Sequence, residues 1–126
     1  MSINRVILVG YLTHDAQVQE IRPGMVKGTL RVATNHTYKD KAGQEVKESC
    51  FIDALLWNQQ AERCARLRKG DMVSIEGRLK LEAWKDKEGH DKSKHSIAVD
   101  KVLFEGKEIE EQAPRASENP FDDLPF

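Results

Sequence analysis

Up to Gly106, the apolar positions of this chain recur mainly at every second residue, which is the period of a β-strand. The first run, 3–12 (INRVILVGYL), departs from strict alternation: Val6, Ile7, Leu8 and Val9 are all apolar, as expected of a strand covered on both faces. Arg22-Pro23-Gly24 reads as a turn. In the second run, 25–38, Val26, Gly28, Leu30, Val32 and Thr34 take one face, and Lys27, Thr29, Arg31 and Asn35 take the other. Gly28 in mid-strand suggests a bulge or bend. A polar loop, 39–44, turns at Gly43 into a third run, 45–57. There Cys50, Ile52, Ala54 and Leu56 oppose Phe51, Asp53, Leu55 and Trp57.

The period changes over 58–70 (NQQAERCARLRKG), where Ala61, Cys64, Ala65 and Arg68 recur at helical spacing. Asn58 is placed to cap this helix and Gly70 to end it. Alternation returns in 71–84, with Val73, Ile75, Gly77, Leu79 and Leu81 facing in and Ser74, Glu76, Arg78 and Lys80 facing out. A charged hairpin loop, 85–94, and a fifth strand, 95–106, follow. The order β-β-β-α-β-β predicts an all-β protein: a closed five-stranded barrel with one short helix between strands three and four. The oligonucleotide/oligosaccharide-binding (OB) fold has this order; a four-stranded sandwich with an added helix fits the pattern as well. Beyond Gly106 the apolar pattern stops. The predicted organisation is a domain at 1–106, a disordered acidic linker at 107–120, and a final segment at 121–126 (FDDLPF).

Composition narrows the function. The chain has 126 residues, 39% hydrophobic and 33% charged, which suits one soluble domain. Its start lacks a signal-peptide pattern and no long apolar run suggests a membrane span, so a cytoplasmic, nucleoid-associated location is expected. Cys50 and Cys64 read as small buried hydrophobes, and His14, His36, His90 and His95 as scattered surface residues. No phosphate-binding glycine loop, nucleophile elbow, paired-histidine zinc motif or metal-holding acidic cluster is present in the sequence. Either Asp53 or Asp100, within strands, could be a lone acid, but such residues are more often edge charges or local ion-pair partners. The expectation is a binding protein without cofactor or metal, not an enzyme. The net charge of −1 hides an asymmetry. Residues 1–106 hold 18 Lys and Arg against 15 Asp and Glu, whereas 107–126 hold 2 against 6. A mildly basic body points to an anionic partner.

The aromatic residues sharpen this. Phe51 and Trp57 share the strand face opposite Ile52 and Ala54. Tyr38 and Trp84 each stand just before a loop, and each is followed by Lys-Asp-Lys. Rings on outward faces suit unpaired bases, whose π-faces stack on them whatever the sequence. Lys27, Arg31, Lys39, Lys41, Arg78, Lys80, Lys85 and Lys87 are the candidate backbone contacts. An exposed aromatic patch could instead serve a subunit interface.

The stretches NRVILVGYL, LRKGDMVSIEGRL, AWKDKEGHD and FDDLPF together closely resemble the bacterial single-stranded DNA-binding protein family, over residues 4–106 and the last six. The resemblance implies an OB-fold protein that coats single-stranded DNA in replication, recombination and repair. It places the family's four stacking positions on Tyr38, Phe51, Trp57 and Trp84, and it implies a homotetramer. The last residues, Asp122, Asp123, Leu124, Pro125 and Phe126, match the family's docking tail for replication and repair enzymes. Tyr38 and Phe51 stand where tryptophan is common in the family, and the linker is shorter than is usual there. An RNA-binding OB module, or an assembly protein whose rings only build an interface, are the rival readings.

Overall fold

The computed structural model describes residues 1–106; the predicted linker and docking tail lie outside the described residues. Six strands and one helix follow in order: β1 (Val6–Leu12), β2 (Gln17–Arg22), β3 (Met25–Lys39), β4 (Glu45–Trp57), α1 (Gln59–Cys64), β5 (Met72–Lys85) and β6 (Asp91–Gly106). The order β1-β5-β6-β4-β3 closes into a ring because β1 also pairs with β3. β1 runs beside β5 from Val6 to Tyr11 and meets β3 at Tyr11 and Leu12. Neighbours are antiparallel except β4 and β6, which run parallel where Asp53–Leu55 meet Ser96–Ala98. This is the predicted barrel of five strands, with the helix between its third and fourth members.

β2 is an addition to the predicted order. It forms a hairpin with β3 outside the ring and is exposed at every position. Its apolar residues, Val18 and Ile21, are three apart, so no two-residue period marks it.

Inward positions fill the barrel: Leu30, Val32, Ala54, Leu56, Val73, Ile75 and Ile97 are buried together with Ala61, Cys64 and Leu67 from the α1 region. Gly28 is not a bulge. It stays in register opposite Leu56, and a Cβ there would stand 3.0 Å from the Ala61 Cβ. The glycine lets α1 close on the barrel. Register shifts do occur between β5 and β6, at Ser74/Ile75 and Glu76/Gly77, where Leu103 and Asp100 are the extra residues of β6, and a Gly77 side chain would collide with the Ala98 carbonyl.

The helix is shorter than predicted. α1 ends at Cys64, and the chain reaches β5 through turns that bury Leu67 instead of Ala65 or Arg68. Asn58 does not cap with its side chain. Its φ is 51°, and Oδ1 accepts the Val26 N–H at 3.0 Å, tying the helix entry to β3. Arg63 clasps Glu105 of β6 through two bonds of 2.9 and 2.8 Å. Cys64 is buried, which pushes its thiol up, whereas Cys50, also predicted to be buried, is exposed on β4.

Two hairpins extend as arms. Among the described residues, the outer halves of β3 and β4 pair only with each other, as do those of β5 and β6. The predicted loop 85–94 is therefore mostly strand. Leu79 and Leu81 keep their inward parity but are exposed, because this part of β5 has left the barrel.

Candidate nucleic-acid interface

Residues opposite one another on adjacent strands point to the same face. Opposite Phe51, Asp53, Leu55 and Trp57 of β4 stand Ala33, Arg31, Thr29 and Lys27 of β3. On the other side of β4, Asp53 and Leu55 meet Ser96 and Ala98 of β6, which meet Lys80 and Arg78 of β5. The β5–β6 register then runs unbroken to Trp84 opposite Lys92. Four strands thus carry one face holding Phe51, Trp57 and Trp84 with Lys27, Arg31, Lys39, Arg78 and Lys80, covered at its β4–β6 junction, where Leu55 and Ser96 are buried.

The other candidates fall elsewhere. Tyr38 and Lys85 lie on the opposite faces of their arms, and Lys41 and Lys87 sit in the two arm tips. The tips are built alike. Asp40 Oδ1 accepts the N–H groups of Ala42 and Gln44, and Asp86 Oδ1 accepts those of Glu88 and His90. Gly43 and Gly89 follow with φ of 80° and 84°. The Lys-Asp-Lys stretches are thus two copies of one turn. The order β5-β6-β4-β3 reverses the second arm relative to the first, so like tips present Trp84 and Tyr38 to opposite faces.

All four rings stand between 40% and 54% exposed. Lys27 Nζ lies 5.9 Å from the Trp57 ring centre, a cation–π contact. Tyr38 stacks beside His36 at 6.0 Å. Among the described residues Lys39, Lys41, Lys80 and Lys87 make no ion pair, while Arg78 approaches Asp100 at 3.7 Å and Lys85 approaches Asp91 at 4.0 Å. Arg31 is bound to Asp53. Asp53 and Asp100 are therefore ion-pair partners, one of the alternatives the sequence left open. Burial raises the Asp53 carboxyl, but hydrogen bonds and charge from Lys94 and Arg31 outweigh it and hold the group below its usual range.

Lys94 and Lys92 share this face and were not among the predicted residues. Both lie in a segment read as loop, where no parity could be assigned. Asp86, Glu88 and His90 also come together at one tip, their ligand-capable atoms within 4.8 Å of one another. The sequence had shown no such cluster, because the turn brings it together.

Fold and face together define a small barrel protein with an exposed aromatic, cation-lined surface. Residues 3–105 match the model of the Single-strand binding protein family, and the chain belongs to that family. It is 36% identical over 119 residues to the single-stranded DNA-binding protein of Helicobacter hepaticus, an alignment covering 94% of this chain and 67% of that protein. With its counterpart from Wolinella succinogenes it shares 39% identity over 100 residues, 79% of this chain and 62% of the relative. A crystal structure of a deletion mutant of the single-stranded DNA binding protein from Thermus aquaticus superposes with a TM-score of 0.69 at 28% identity, covering 81% of this chain and 51% of the other. The chain spans about two thirds or less of the length of these proteins.

Proposed function

We propose that this protein binds single-stranded DNA with little regard to sequence, protecting it during replication, recombination and repair within the nucleoid. The observation that carries the reading is the face over β3, β4, β6 and β5, where Phe51, Trp57 and Trp84 stand exposed among lysines and arginines. Bases stack on the rings while Lys27, Arg31, Lys39, Arg78 and Lys80 neutralise the phosphates. Tyr38, Lys41, Lys85 and Lys87, on the arms, engage a strand that wraps past the first face. Duplex DNA, whose bases are already paired and stacked, cannot use the rings.

The protein works as a homotetramer. Ile7 and Val9 on the outer side of β1 are 61% and 54% exposed, and Leu81 on the β5 arm is 57% exposed. Among the described residues, the edge of β1 facing β3 is paired only at Tyr11 and Leu12. Self-association covers both the apolar surface and the free strand edge. Asp122, Asp123, Leu124, Pro125 and Phe126 form a docking peptide for replication and repair enzymes. Phe126 offers its ring to an apolar pocket, and Asp122 and Asp123 meet a basic rim around it.

Titration of tryptophan fluorescence with oligothymidylate, polyuridylate and duplex DNA of matched length tests the reading. Strong salt-sensitive quenching by oligothymidylate and weak binding of duplex support it. A preference for polyuridylate would favour an RNA-binding module, and indifference to all three would leave only the interface reading.

A further inference from the structure

At the centre of the proposed face lies an acid, where a surface for phosphates would be expected to carry cations only. Asp53 stands in β4 between Phe51 and Leu55. Its Oδ1 accepts from Arg31 Nη1 of β3 at 3.0 Å, and its Oδ2 accepts from Lys94 Nζ of β6 at 2.7 Å. The carboxylate side chain is 12% exposed, against 45% for Arg31 and 46% for Lys94. The acid therefore lies beneath the two cations, and their outer sides remain open to solvent. Arg31 and Asp53 also wall an open cleft of about 240 Å³ shared with His14, Asp15, Gln17 and Thr29.

We propose that Asp53 is a positioning residue that sets the grip of this face on the phosphodiester backbone: it holds Arg31 and Lys94 in place across three strands while cancelling one of their two charges. The proposal rests on the single-strand reading above. Held cations need not be ordered when DNA arrives, which lowers the entropic cost of contact. The retained acid keeps the net charge of the trio at one, so the strand is held yet can be released.

Counterion release provides the test, because a purely structural contact would not move it. For single strands the slope of log affinity against log salt changes by about 0.7 for each phosphate neutralised. Asp53→Asn keeps the shape and one acceptor but raises the trio by one charge. In the full-length chain with oligothymidylate, this variant should bind more tightly than wild type at low salt and converge with it as salt rises. Its slope should be steeper by about 0.7, an extra loss of roughly 2.6-fold over a fourfold rise in salt. Asp53→Asn/Lys94→Gln should return to the wild-type slope, and Lys94→Gln alone should be shallower by about 0.7. The single Lys94 variant keeps the test open if Asp53→Asn fails to fold. An unchanged slope in Asp53→Asn, or in Lys94→Gln, while wild type binds normally, overturns the role of Asp53 and leaves the single-strand reading standing. Failure of wild type to bind oligothymidylate overturns both.

Discussion

At the scale of single residues, exposed rings and cations carry the proposed binding. Trp57 and Trp84 are not part of the buried core, so replacing either with alanine should leave the fold intact. Each change should weaken oligothymidylate binding by about 1–3 kcal/mol, measured by titration alongside thermal unfolding. A variant that unfolds would return its ring to the core. Asp53 gives a pH signature as well. Its folded pKa lies below the ordinary value of 3.8, so its pairing stabilises the protein at neutral pH. That stabilisation is lost as pH falls from about 3.8 through the lower folded value. The Tm advantage of wild type over Asp53→Asn should therefore shrink as pH is lowered from 6 towards 3, as scanning calorimetry would record. The outward placement of Phe51 and Trp57 was legible because alternation alone separates them from Ile52 and Ala54. Lys94 was not legible as the partner of Asp53. Their contact depends on the parallel β4–β6 junction, 41 residues apart in sequence, and no local pattern encodes that register.

At the scale of elements, close approach explains what pattern reading missed. Strand periods located all five barrel strands, but glycine positions carried a meaning that only packing reveals. Gly28 makes room for Ala61, and Gly77 makes room for the Ala98 carbonyl. Gly77→Ala should destabilise the domain by about 2–4 kcal/mol, since backbone on both strands must shift; urea unfolding would measure it. The helix was over-read because residues 65–70 favour helix by composition. In the fold, Asp15 accepts the Lys69 N–H at 2.8 Å and Asp71 accepts the Arg68 N–H at 2.9 Å, so side chains satisfy the backbone there in place of a further helical turn. The arms were read partly as loops because their charged residues mask the alternation. Asp86→Ala removes two side-chain bonds from one arm tip. Amide exchange at Glu88 and His90 should quicken, while the barrel amides keep their protection.

At the scale of the whole molecule, charge and apolar surface fall on separate faces. The aromatic face is proposed for DNA, the outer side of β1 for other subunits, and the C-terminal residues for partner enzymes. Light scattering should report a tetramer at micromolar concentration, and a stable monomer would contradict the assembly proposed through β1. Deleting residues 121–126 should leave oligothymidylate affinity unchanged or slightly higher at low salt, because it removes acidic groups from a chain whose body is basic. The same deletion should abolish capture of purified repair helicases and exonucleases. The central claim is that one ring-bearing face grips unpaired bases. Its most direct test is the affinity of labelled oligothymidylate, by fluorescence anisotropy, for wild type and for the combined Phe51→Ala, Trp57→Ala and Trp84→Ala variant, with folding checked by circular dichroism. The account predicts a folded variant whose affinity falls by at least about a hundredfold, from about 1 kcal/mol or more per ring. A folded variant that binds as tightly as wild type would contradict it.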